Sequence, residues 1–170
     1  VQPCALPIST RDGPDFGAAV SPDGKTIAYR GFDDEVRAFQ QTRLYLMDAD
    51  GSNAREIAAD TDREFASLTW SADSKTLYSR VDNMGEMEIR ATDMRGQTRT
   101  VATGLGGGSI GRPYADGAFS VSATRKPVFA YTAGFMDRPA EIAVQQDKND
   151  PRVLTNLNDD ILPYLEMATL

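Results

Sequence analysis

The sequence predicts an all-β chain, and three observations carry that prediction. A corner containing serine occurs three times, as Val20-Ser21-Pro22-Asp23-Gly24-Lys25, Trp70-Ser71-Ala72-Asp73-Ser74-Lys75 and Val121-Ser122-Ala123-Thr124-Arg125-Lys126, with the serines 50 and 51 residues apart. Each corner is flanked by short apolar segments that supply four strands per repeat. No segment sustains the 3.6-residue apolar period of a helix. A period near fifty residues with four short strands per unit is the signature of propeller blades. The expected fold is therefore a β-propeller, here an incomplete arc of about three four-stranded antiparallel blades.

In the first repeat, residues 17–21 and 26–30 read as strands joined by Ser-Pro-Asp-Gly, where Pro22 fixes φ and Gly24 accepts a positive φ. Residues 44–48 form a third strand, 49–52 a hairpin loop and 55–58 a fourth strand. The second repeat uses residues 67–70, 76–80, 87–92 and 98–102, with a loop at 93–96. The third uses 118–121, 128–132, 141–145 and 152–155, with a loop at 146–150. Residues 36–41 and 161–167 have room for one short helical turn each. The expected divisions are blades over residues 9–60, 61–104 and 105–160, with 161–170 a linker towards a further domain. Alternation along the strands predicts a core of Val20, Ile27, Leu44, Leu46, Leu68, Trp70, Leu77, Ile89, Phe119, Val121, Val128, Phe129, Ile142 and Val144.

A closed propeller needs four to eight blades. Three leave two uncovered faces, and if each is on the order of 500 Å², about 12 kcal/mol of burial per face is missing. More blades are therefore expected in a longer parent. The chain begins with Val1, residues 1–8 lack the pattern of a signal peptide, and Ala5-Leu6-Pro7-Ile8 matches what a sequencing adapter encodes. Residues 1–8 are thus expected to be a non-native leader.

The 170 residues are 41% hydrophobic with 8% aromatics, a globular composition, and no run of 18 apolar residues exists to cross a membrane as a helix. A net charge of −7 argues against nucleic acid, whose phosphates require concentrated Lys and Arg. The lone Cys4 excludes an internal disulfide and leaves both bacterial cytoplasm and periplasm open.

Several short motifs mimic catalytic sites. Gly107-Gly108-Ser109-Ile110-Gly111 matches a nucleophile elbow, but Pro113 and Asp116-Gly117 follow where a helix is required, and with no histidine in the chain a Ser-His-Asp triad cannot be assembled. Gly106, Gly108 and Gly111 have dinucleotide-loop spacing without the following helix. Gly24-Lys25-Thr26 resembles the end of a phosphate loop, yet Ala19 occupies the first glycine position. Asp48-x-Asp50-Gly51-x-Asn53 has Gly fourth and Ala59 twelfth, unlike a calcium loop. With no histidine and one cysteine, zinc has too few soft ligands. No catalytic residue, cofactor or metal ligand is assigned.

Ser21-Pro22-Asp23-Gly24-Lys25-x-Ile27-Ala28-Tyr29, then Gly31-Phe32-Asp33-Asp34, then Leu44-Tyr45-Leu46-Met47-Asp48-Ala49-Asp50-Gly51 resemble a blade of the prolyl oligopeptidase family, acylaminoacyl-peptidase branch. Arg138-Pro139-Ala140-Glu141-Ile142 and Arg152-Val153-Leu154-Thr155-x-Leu157-Asn158 are similar to that family's last blade. The resemblance spans residues 13–162, and the corner and hairpin motifs are shared with TolB-type propellers. It implies that the chain is the non-catalytic propeller of a serine peptidase, gating short peptides to an α/β-hydrolase domain that would follow. That domain and the remaining blades are the implied partners. The alternative is a TolB-type protein-binding module. A propeller lyase or lactonase would need histidines or metal ligands.

Connections between second and third strands, over residues 31–42, 82–86 and 133–140, read as longer than the other turns and emerge on one face of each blade. Recognition concentrates on such loops. Asp33, Asp34, Glu35, Arg37, Asp137 and Arg138 are accordingly the candidate substrate or domain contacts. The acidic run 33–35 also reads as an ordinary solvated loop.

Overall fold

The computed structural model describes residues 11–108, 116–136, 138–146 and 149–164. Twelve strands occur in chain order: β1 Asp15–Val20, β2 Thr26–Gly31, β3 Arg43–Asp48, β4 Arg55–Ile57, β5 Phe65–Trp70, β6 Thr76–Asn83, β7 Glu86–Asp93, β8 Thr98–Leu105, β9 Phe119–Val121, β10 Val128–Ala133, β11 Glu141–Gln146 and β12 Arg152–Val153. They form the three predicted meanders. The first is a separate sheet of order β1-β2-β3-β4, and the other two are joined in order β12-β11-β10-β8-β7-β6-β5, with β9 paired to β10. Every registered pairing is antiparallel. A 3-10 turn at Leu162–Tyr164 is the helical element among the described residues. Residues 36–41 contain no helical turn; the neighbouring Glu35 and Val36 amides donate to the Gln40 and Asp34 side chains.

The serine corner has a specific role in each meander. The Ser21 and Ser71 hydroxyls accept from the Thr26 and Thr76 amides at 2.9 and 3.0 Å, and the Ser122 hydroxyl accepts from the Val128 amide at 2.9 Å. Each serine thus satisfies the first amide of the second strand, which the turn would otherwise leave without an acceptor. These bonds also align the repeats: Thr26, Thr76 and Val128 are equivalent, so Arg30, Arg80 and Thr132 are equivalent.

The chain divides into two compact units: unit 1 is Val1–Ser79 with Thr92–Thr98, and unit 2 is Arg80–Ala91 with Arg99–Leu170. In unit 1, all four residues Leu44, Tyr45, Leu46 and Met47 of β3 are buried, as are Ala28, Tyr29, Phe65 and Trp70. A strand buried on both faces is what a blade's interior position requires. The Trp70 indole N–H donates to the Ala19 carbonyl at 2.9 Å, linking the first strands of successive blades. In unit 2, Phe129, Tyr131, Ala133 and Ala143 form the buried face of the third blade.

Three expected core residues are exposed: Val20 is 60%, Val128 37% and Ile142 39% accessible. Ile142 pairs with Thr132, on the opposite side of the sheet from Tyr131 and Ala143, and Val128 shares that side. Val20 ends its ladder against Ile27, next to the solvent-facing corner. Ile27, Leu68, Phe119, Val121 and Val144 are half-buried. Conversely, Tyr29, Phe65 and Met47, absent from the expected core, are among the most completely buried side chains.

The repeat also extends to a backbone feature that composition does not reveal. Gly17, Ser67 and Gly117, spaced at 50 residues, all have positive φ, at 64°, 54° and 104°. In β1 this coincides with a register shift between Phe16 and Ala19, the signature of a bulge. A Cβ on Gly17 would meet the Arg30 guanidinium at 2.7 Å. A side chain there would be strained by the backbone conformation and would have to displace the Arg30 guanidinium.

Ser67→Gly is expected to stabilise the chain by about 0.5–1 kcal/mol, since it relieves the left-handed strain at an exposed position. Gly17→Ser should destabilise it by at least about 1 kcal/mol. Urea unfolding of both variants checks the pair, and the bulge assignment fails if the two shifts have the same sign.

Candidate functional site

The β2–β3 connection, residues 32–42, is organised by Arg11 and by Asp34. The Arg11 guanidinium donates to the Asp33 carboxylate at 3.1 Å and to the Tyr45 hydroxyl at 2.9 Å, and it pairs with Asp15. Its Cζ lies 4.0 Å from the Tyr45 ring centroid, and Tyr45 stacks on Tyr29 at 5.3 Å. Burial pushes the Tyr29 and Tyr45 hydroxyls above their ordinary pKa, with Arg11 pulling the other way. A cation over a buried aromatic stack anchors the base of the loop to the blade.

Asp34 shapes the loop itself. Its amide donates to the Asp12 carbonyl at 2.8 Å, while its carboxylate accepts from the Val36 amide at 2.8 Å and from the Gln40 side chain at 3.1 Å. Those bonds, the Val36 amide first, hold the Asp34 carboxyl below the usual carboxylate range. Val36 adopts a φ of 55° and is 92% exposed. Glu35 and Arg37 form an exposed ion pair at 2.9 Å, a type of contact worth about 0–1 kcal/mol.

A cleft of about 390 Å³ opens beside this loop in unit 1, lined by Phe32, Asp33, Glu35, Arg37 and Phe39 and continued by Gln40, Gln41, Arg43, Tyr45 and Glu56. It combines three carboxylates, two guanidiniums, two amides and three aromatic rings. Such a lining suits reversible binding of a polar, extended ligand. It contains no serine, cysteine or lysine nucleophile beside a base.

A second cleft, of about 430 Å³, lies within unit 2. It is lined by Met84, Gly85 and Glu86 at the β6–β7 turn, Gly104 and Leu105 at the end of β8, and Gly134, Phe135 and Met136 after β10. Arg138 is exposed, with its Cζ 4.0 Å from the Phe135 ring centroid.

Of the candidate contacts, Asp33, Glu35 and Arg37 line the first cleft. Asp34 is occupied in shaping its wall, Arg138 stands beside the second cleft, and Asp137 is outside the described residues. One expectation is corrected. The 82–86 connection is not long or irregular: β6 and β7 extend to Asn83 and from Glu86, leaving a two-residue turn in which Met84 and Gly85 both have positive φ, 57° and 88°. That is the geometry of a tight hairpin whose twist matches the strands. Met84, Phe135 and Met136, which line the second cleft, are not among the candidates read from the sequence, because apolar residues in turns carry no chemical motif. The signal that was available is Met84-Gly85 between alternating segments.

The mimicking motifs resolve into turns where they are described. Asp48 accepts from the Asn53 side chain at 2.6 Å and Asp50 from the Ser52 hydroxyl at 2.6 Å. Gly24-Lys25-Thr26 belongs to the corner closed by the Ser21 and Thr26 bonds. Ser109 lies outside the described residues. Among those described, no three His, Cys, Asp or Glu side chains are grouped to hold a metal.

No family model matches the chain. Dipeptidyl-peptidase 5 of Porphyromonas gingivalis is 30% identical over 141 residues, which is 82% of this chain and 19% of that protein. The chain thus spans about a fifth of the length of this relative. The β-propeller domain of the Trilobed protease from Pyrococcus furiosus superposes with a TM-score of 0.56 at 19% identity, over 86% of this chain and 39% of that one. A putative TolB from Agrobacterium tumefaciens gives 0.56 at 18% identity, over 86% and 50%. The fold is a β-propeller, similar to both a protease propeller and TolB.

Asp23, Asp34, Asp50 and Asp73 all have carboxyls held low, each by hydrogen bonds within its own turn, from the Ser21 hydroxyl, Val36 amide, Ser52 hydroxyl and Ser71 hydroxyl first. A folded-state pKa below the unfolded value gives stability that is present above the unfolded value, about 3.9, and lost as pH falls through the folded one. The thermal midpoint should therefore drop below pH ~4, and the combined Asp→Asn variant at these four positions should show a shallower drop. An equal drop in the variant would assign the acid sensitivity elsewhere.

Proposed function

We propose that this chain is a non-catalytic propeller portion of a serine peptidase of the prolyl oligopeptidase family, acylaminoacyl-peptidase-like, which controls the access of short peptides to an α/β-hydrolase domain. The observation that carries the reading is the 30% identity over 141 residues with a dipeptidyl-peptidase. The exit motifs Arg138-Pro139-Ala140-Glu141-Ile142 and Leu154-Thr155-x-Leu157-Asn158 support it. So does the first cleft, whose mixed charges and aromatic rings suit peptide groups of either sign.

On this reading the propeller contributes no group to bond cleavage. The chain has no histidine to act as a general base. Its contribution is selection: loops 32–42 and 134–140 present charge and apolar surface to a peptide or to the catalytic domain, on a scaffold whose strands hold their bases fixed. A second reading, a TolB-type protein-docking module, is favoured by the similarity to TolB. The fold is compatible with both functions.

In the longer protein, reversing charge at Asp33, Glu35 and Arg138 together should change kcat/KM for short peptides at least about threefold, a difference within the range of one exposed charge pair. The thermal midpoint should move by less than about 2 °C, the scale of a sub-kcal surface change. Equivalent reversals at Asp23, Asp50 and Arg95 serve as the control, and a larger effect from them would place recognition on the opposite ends of the blades. The 170-residue chain alone should not turn over acylaminoacyl chromogenic substrates, and turnover abolished by Ser109→Ala would overturn the non-catalytic assignment.

A further inference from the structure

The second cleft has a different chemistry from the first. Met84 is 89% and Met136 65% exposed, so two thioethers stand uncovered around Phe135 while Leu105 forms a buried floor at 1% exposure. Exposed methionines beside an aromatic ring are costly to leave in water. They are also adaptable, since an unbranched, polarisable side chain reshapes itself around varied apolar groups. The floor is fixed by main-chain bonding: the Gly134 amide donates to the Gly104 carbonyl at 2.8 Å, and Ala133 pairs with Leu105. Glu86 is the charged residue in the lining. A volume of about 430 Å³ falls in the range of small-ligand sites.

We propose that this cleft binds an extended peptide segment through one large apolar side chain, Leu or Phe in class, with a neighbouring Lys or Arg that pairs with Glu86. The inference rests on the peptide-handling reading above and adds the chemical class of the ligand. The apolar side chain follows from the two thioethers and the ring. The cation follows from Glu86 on a chain whose net charge is −7. Arg138, covering a face of Phe135, is not part of the lining and disfavours a second cation on that side.

The test uses this chain with ¹³C-methyl methionine, whose six methyl signals include the buried Met47 as an internal control. The probe is acetyl-Ala-Phe-Lys-Ala-amide, compared with peptides in which Phe is replaced by Ser or Lys by Glu. Saturable shifts of the Met84 and Met136 methyls with Met47 unmoved are expected, absent with the Ser peptide and about fivefold weaker with the Glu peptide. Met84→Asn should weaken binding about fivefold without loss of stability, since Asn-Gly is the preferred sequence for this turn. Glu86→Gln should abolish the preference for Lys over Glu. Unmoved Met84 and Met136 methyls with every peptide overturn the proposal, as does a shift that depends on protein concentration alone, which would make a second copy the occupant. The gating reading fails separately, if charge reversals in the longer protein leave kcat/KM unchanged.

Discussion

Contact between successive blades includes an arginine that reaches a main-chain carbonyl at or near the left-handed residue of the next blade. In unit 1, the Arg30 guanidinium donates to the Phe65 carbonyl at 3.1 Å, two residues before Ser67. In unit 2, Arg80 donates to the Gly117 carbonyl and pairs with Asp116. The equivalent arginines thus reach different carbonyls, one two residues before the left-handed position and one on it. A charge-assisted bond to a carbonyl is stronger than a neutral one and leaves no acceptor without a donor.

Further inter-blade bonds are of the same type. Within unit 1, Trp70 reaches the Ala19 carbonyl and the Asp23 amide reaches the Ser74 hydroxyl at 3.1 Å. Within unit 2, the Gln145 side chain donates to the Val101 carbonyl at 2.8 Å. These are side-chain to main-chain bonds that do not demand a repeated sequence, and the degenerate corner Ala123-Thr124-Arg125 still closes because the Ser122 hydroxyl accepts from the Val128 amide. Thr132 takes the arginine's place in the third blade and instead accepts from the Ala118 amide of its own first strand at 3.0 Å.

On the proposed reading, recognition is attached to this scaffold at the loops. Arg11, Tyr45 and Tyr29 hold the base of loop 32–42, and Asp34 takes up the loop's own donors. Asp33, Glu35 and Arg37 line the cleft, Asp33 accepting from Arg11 and Glu35 paired with Arg37 at the exposed rim. The second cleft carries the complementary, apolar character. Were the propeller to handle peptides as proposed, both kinds of surface would serve it, because a short peptide presents charged and apolar groups together.

The sequence by itself determined the blades. Serine corners at fixed spacing and Asp-Gly hairpins are local devices, satisfied by residues a few positions away, so their geometry is written in the chain order. The acidic loop was legible for the same reason. Tertiary structure decided the remainder. Which strand face is covered depends on the neighbouring sheet, so Val20, Val128 and Ile142 came out exposed while Tyr29 and Phe65 became core. Whether a connection is a loop or a tight turn depends on how far paired strands continue, so residues 84–85 closed into a hairpin. The Arg30 and Arg80 bonds and the methionine cleft join residues tens of positions apart, whose proximity only the packed blades establish.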